Sequence, residues 1–95
     1  MSVAFHIPGP LRQFTGGRRK VAVEIGRSPT TLADALSALW TLYPALQDRI
    51  ATEQGQIREH VNIFIGDADV RYTGGLTSPV SGGSEISIVP AISGG

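Results

Sequence analysis

A glycine pair at the end of the sequence, Gly94-Gly95, is the feature of this 95-residue chain best suited to chemistry. Read as a C-terminus, it presents a carboxylate on backbone without a Cβ, which can enter a narrow active site in conformations closed to other residues. Such a group suits activation by another protein's enzyme rather than catalysis of its own. Residues that could catalyse in place are poorly arranged for it. Asp67 and Asp69 pair two carboxylates, but in a turn-like stretch where Asp ordinarily hydrogen-bonds nearby backbone. His6 and His60 fall in neither an H-x-x-x-H nor an H-E-x-x-H spacing, and no cysteine is present to join them. No serine occupies a G-x-S-x-G elbow. The glycine pairs Gly16-Gly17, Gly74-Gly75 and Gly82-Gly83 lack the Gly-Lys-Ser/Thr ending of a phosphate loop and read as turns. The expectation is therefore no catalytic residue, no metal ligand and no cofactor bound by the chain.

Composition narrows the partners. Eight basic residues balance eight acidic ones, which removes the electrostatic case for nucleic acid or an anionic membrane. The basic run Arg18-Arg19-Lys20, beside Gly16-Gly17, reads as a solvated loop. The lack of cysteine rules out a disulfide-stapled fold and a thiol nucleophile. Met1 to Ile7 meets Pro8 too soon for a signal peptide, and no apolar stretch reaches membrane-spanning length, so a cytoplasmic protein is expected. A 41% apolar, 17% charged chain of this length forms one small domain.

The elements that must position the terminal carboxylate follow from periodicity. Val3, Phe5 and Ile7 alternate with Ala4 and His6, and Val21, Val23 and Ile25 alternate with Ala22 and Glu24. Both runs are half-buried strands, joined across Leu11 to Gly17, a loop in which Leu11 and Phe14 can plug the core. Leu32, Ala35, Leu36, Leu39 and Leu42 or Tyr43 set the apolar stripe of a helix capped by Thr30 or Thr31 and stopped by Pro44, after which Pro44 to Ile50 can restart a turn or two. Trp40 should border the core. Val61 to Ile65 reads as the central strand, Asp69 to Tyr72 as a short edge-like strand, and Glu85 to Pro90 as the last strand. Pro90 weakens pairing where the tail begins. The order β-β-α-β-β-β predicts an α+β, β-grasp (ubiquitin-like) fold: a mixed sheet of about five strands on one main helix, first and last strands side by side. Residues 1–90 form the domain and 91–95 a flexible tail.

One helix covers one sheet face. If Val61, Ile63 and Ile65 face it, then Phe64, Val89 and Ala22 face outward by the same parity and are candidates for partner docking.

These residues carry a family resemblance. The strand Val61-Asn62-Ile63-Phe64-Ile65, the run Asp69-Val70-Arg71-Tyr72-Thr73-Gly74-Gly75-Leu76, Ile7-Pro8, Leu11-Arg12, Thr15-Gly16-Gly17, Ile88-Val89-Pro90-Ala91 and the terminal Gly94-Gly95 together resemble the ThiS/MoaD family of ubiquitin-like sulfur carriers. The long segment from Pro44 to His60 favours the subgroup serving thiocarboxylate-dependent cysteine synthesis. The resemblance implies that a ThiF/MoeB-like adenylyltransferase, using ATP and Mg, adenylates Gly95. A sulfur donor, a rhodanese-type protein or sulfide, then forms a thiocarboxylate for a sulfur-accepting biosynthetic enzyme. Ile92, Ser93 and Gly94 would be the recognised tail; residues 91–95, fully extended, reach about 17 Å. The chain would then be a protein co-substrate rather than an enzyme. Alternatives are a ubiquitin-like modifier joined to lysines and a molybdopterin synthase small subunit.

Overall fold

The computed structural model describes residues 1–26 and 28–90. Strand β1 (Ser2–His6) and strand β2 (Lys20–Glu24) form the expected antiparallel hairpin, with Val3 opposite Val23 and Phe5 opposite Val21. All four of these side chains are buried. The connection is more ordered than a loop. Gly9–Thr15 winds into a 3-10 helix with a proline in its first turn, and ends at Gly16 with φ +65°, the left-handed conformation that favours glycine. Leu11 and Phe14 pack from it against the core, and the Arg49 guanidinium lies 5.0 Å over the Phe14 ring. Thr15 is buried with them, its hydroxyl donating to the Arg18 carbonyl at 2.9 Å. That bond was not legible from the turn-like composition.

A two-residue strand, β3 (Thr30–Thr31), leads into helix α1 (Leu32–Leu42). The Thr31 hydroxyl accepts the Asp34 backbone N–H at 3.3 Å, and the Thr30 hydroxyl donates to the Asp34 carboxylate at 2.8 Å. Both threonines thus serve the helix start. Leu32, Ala35, Leu36 and Leu39 are buried on one stripe, and Trp40 is partly buried beside them. The helix stops before Pro44, which opens helix α2 (Pro44–Ile50) and brings Leu46 and Ile50 into the core.

Strand β4 (Val61–Ile65) is followed by β5 (Ala68–Asp69), β6 (Pro79–Val80) and β7 (Glu85–Pro90). The main sheet runs β2-β1-β7-β4-β5, so the first and last strands lie side by side, parallel, in its centre. This is the α+β, β-grasp arrangement that the element order predicts. Two details differ from it. The strand expected over Asp69 to Tyr72 ends at Asp69, because that carboxylate accepts the Arg71 N–H at 2.9 Å and caps a 3-10 turn over Val70–Tyr72. A second sheet, β3 with β6, is only two residues per strand, too short to leave a periodic signal. Phe5, Leu39, Ile63 and Ile86 join in the core between α1 and the sheet. Full burial of side chains of this size contributes about 1.5–3 kcal/mol each.

Candidate functional site

The candidate site has two parts, the strand that precedes residues 91–95 and a sheet face beside it. The expected reacting residues Gly95 and Gly94, with Ser93 and Ile92, lie outside the described residues. The strand before them is well defined. β7 is paired on one side with β4 along its length, from Ile65 opposite Ile86 to Val61 opposite Pro90. On its other side β1 pairs only with Glu85, Ile86 and Ser87. β1 stops there because Pro8 follows Ile7, and the chain turns into the 3-10 helix. Ile88 to Pro90 therefore continue as half of a two-strand ribbon with β4. Pro90 has no N–H to give, so ladder bonding fades at the residue where residues 91–95 begin.

The sheet face without helices carries the outward side chains of all these strands. Ala22, Phe64 and Val89 are all on it, as the parity argument requires: Ala22 is exposed, Phe64 half-buried and Val89 44% exposed. The register decides which can act together. Val89 stands opposite Asn62 and Phe64 opposite Ser87, so Phe64 and Val89 are diagonal neighbours on adjacent strands. Diagonal pairs are about 7–8 Å apart, within reach of an aromatic ring. Ala22 is not brought to them: β1 and β7 lie between β2 and β4.

Polar groups fill that gap. His6 Nε2 is 2.6 Å from Glu85 Oε1, and Lys20 Nζ is 3.8 Å from the same oxygen. The His6 hydrogen bond, followed by the Lys20 charge, holds the Glu85 carboxyl below its ordinary range. A carboxyl depressed in this way stabilises the fold above its unfolded pKa and loses that contribution as pH falls through the folded value. Carbonyl-detected NMR titration of Glu85 should therefore show a midpoint below the ordinary glutamate value. His6→Ala should move it back upward, and an unchanged midpoint would remove this bond from the account. His60 is an exposed turn residue before β4. Asp67 lies in the β4–β5 turn, and Asp69 binds the Arg71 guanidinium at 2.9 Å, which holds its carboxyl low. Among the described residues no group of three or more His, Asp or Glu side chains could hold a metal ion. No described helix is long and apolar enough to cross a membrane. Of the two residues that could end the helix stripe, Tyr43 packs partly buried against the core and Leu42 is 54% exposed; Tyr72, 84% exposed, is a further surface residue that the periodicity did not single out.

Known proteins share both the fold and the sequence. The ThiS family model matches residues 5–95. The sulfur carrier protein CysO of Mycobacterium tuberculosis is 35% identical, covering 100% of both chains. Small archaeal modifier protein 1 of Haloferax volcanii is 32% identical over 83% of this chain and 85% of its own. A chain of the crystal structure of the Amycolatopsis orientalis BexX/CysO complex superposes with a TM-score of 0.87 at 29% identity, covering 98% of this chain and 99% of that one. With a family match that spans the β-grasp core and runs through the terminal glycine pair, the chain belongs to the ThiS family.

Proposed function

We propose that this chain is a sulfur carrier whose terminal Gly95 carboxylate is the working group. A ThiF/MoeB-like partner transfers AMP from ATP, with Mg, to that carboxylate and releases pyrophosphate. A carboxylate is a poor electrophile until it bears such a leaving group. Sulfide then attacks the acyl carbon and displaces AMP, leaving a thiocarboxylate. The persulfide of a rhodanese-type donor would instead displace AMP to give an acyl disulfide. A thiol then cleaves this to the thiocarboxylate, as that thiol and the donor cysteine are joined in a disulfide. The chain's own contribution is delivery. Its β7 ends at Pro90 on a ribbon held by β4, and the five residues beyond extend to an active site on the partner. Backbone capture of an extended terminal peptide is a general recognition mode, and Ile92, Ser93 and Gly94 are the residues it would read. The catalytic groups belong to the partners, so the chain is a protein co-substrate.

The observation that carries this reading is the full-length likeness to CysO, a protein described as a sulfur carrier. The BexX/CysO complex supports a protein partner for such carriers, here a biosynthetic enzyme that takes the sulfur for cysteine or another sulfur-containing metabolite. The 32% identity to an archaeal modifier supports a second reading, isopeptide attachment of Gly95 to lysines of other proteins. Intact mass spectrometry of the protein from its native host separates the two. A carrier shows the mass increase of oxygen replaced by sulfur on the free protein. Protein conjugates lost on removal of Gly95, with no sulfur form under sulfur-replete growth, would favour the modifier.

A further inference from the structure

One edge of the main sheet is β2, and among the described residues no strand pairs with its outer side. The Ile7 N–H donates to the Arg19 carbonyl and the Ile25 N–H to the Met1 carbonyl, so odd-numbered residues of this strand bond to β1. Antiparallel ladders alternate, which leaves the backbone N–H and C=O of Lys20, Ala22 and Glu24 directed at the free edge. Beside that edge runs a groove between β2 and α1. One end, ≈ 360 Å³, is lined by Glu24, Ile25, Gly26, Thr30, Asp34 and Ala38. The other, ≈ 280 Å³, is lined by Val23, Glu24, Ala38, Thr41 and the exposed Leu42.

The strand reads Lys20-Val21-Ala22-Val23-Glu24, charged at both ends with opposite signs about a central alanine. We infer that this edge pairs with a second copy of itself, antiparallel, about a two-fold axis at Ala22. Ala22 then faces its counterpart, and Lys20 of each copy faces Glu24 of the other. All three of these positions carry free backbone groups on the open side, so the same register satisfies both the ladder and the charges. Among the described residues Lys20 and Glu24 have loose ionic partners, 3.8 Å to Glu85 and 3.7 Å to the Met1 amino group, and their side chains are 59% and 82% exposed.

Charged side chains on an edge ordinarily discourage pairing. Here they select among pairings: a parallel arrangement would set Lys20 against Lys20 and Glu24 against Glu24, and like charges directly opposite are unfavourable. Continued outward, the antiparallel register sets Arg19 opposite Ile25 and Arg18 opposite Gly26. The basic run then meets the groove end that carries Glu24 and Asp34. Arg27, next along the chain, lies outside the described residues. The ribbon that leads to the tail is on the far side of β1, so pairing through β2 leaves it uncovered.

Sedimentation velocity on the full chain, up to about 1 mM, should show reversible dimerisation in the micromolar-to-millimolar range expected of an interface below about 1,200 Å². Lys20→Glu and Glu24→Lys should each weaken it by about 10-fold or more, since either places like charges opposite at both ends. Mixed together, the two variants should form a heterodimer with opposite charges restored, and the double swap K20E/E24K should dimerise by itself. Circular dichroism confirms that each variant is folded, and dilution-dependent amide shifts should cluster at residues 18–26. A wild-type chain that stays monomeric at the highest concentration overturns the inference. So does a dimer indifferent to the single charge reversals, or single variants that fail to pair on mixing.

Discussion

Deleting Gly94 and Gly95 should reduce ATP–pyrophosphate exchange by the activating enzyme to background while leaving the melting temperature almost unchanged. The truncated chain still ends in a carboxylate, now on Ser93, so the expected loss comes from reach and shape rather than from removal of the functional group. Two residues of extended chain span about 7 Å. A displacement of even about 1 Å from the attack geometry can cost on the order of 100-fold in rate, so this one removes the reaction. The fold should not notice, because the described core runs from Val3 to Ile88 and its last ladder partner is Pro90 opposite Val61. Gly94→Ala provides a graded companion. It keeps length and carboxylate but adds a Cβ, and its activity should fall between the wild type and the truncation. Full exchange activity in the truncated protein would place activation elsewhere and end the terminal-carboxylate reading. A parallel loss of melting temperature would mean that the tail stabilises the domain.

The elements with strong periodicity were legible in the sequence because burial imposes a repeat on them. Val3 and Phe5, Val21 and Val23, Leu32, Ala35, Leu36 and Leu39 each mark one buried face, and each is where the pattern put it. The central position of β4 and β7 followed from their apolar content, and the outward parity of Phe64, Val89 and Ala22 from that of their neighbours. Short polar devices were not legible. The Asp69 cap that turns Val70–Tyr72 into a 3-10 helix depends on one carboxylate reaching an N–H two residues on. The same residues read equally well as a strand. The pairing of β3 with β6 joins residues 30–31 to 79–80, a long-range contact with no local signature. The His6–Glu85 bond likewise needs the parallel β1–β7 pairing before the two side chains can be placed together. For the site, parity could say which residues share a face but not that Ala22 stands two strands from the Phe64–Val89 pair. Only the register supplies that spacing.

That spacing selects the variant for testing the docking face. Val89→Asp should weaken binding of the chain to its activating enzyme by about 10- to 100-fold, or about 1.4–2.8 kcal/mol, with little change in stability. Val89 is exposed, sits opposite the neutral Asn62, and lies one residue before Pro90, where the described residues end. A carboxylate there would be water-exposed in the free protein and buried unpaired only in the complex, where an unpaired charge is costly. Phe64→Asp is the less clean probe. Phe64 pairs across the strands with Asp69, so the new carboxylate would face an existing one and loosen β4 from β5. Phe64→Ala avoids that repulsion and should also weaken docking, whereas Ala22→Asp, remote from both, should leave it within about 2-fold if the Phe64–Val89 pair is the contact. Calorimetric titration of the three folded variants against the activating enzyme measures the pattern. Equal affinities for Val89→Asp and the wild type would mean that the partner holds the chain by its tail alone. A larger loss at Ala22 than at Val89 would move the docking surface to the β2 side of the sheet. That second result would also set docking in competition with the edge pairing inferred for β2, so dimerisation would then inhibit activation.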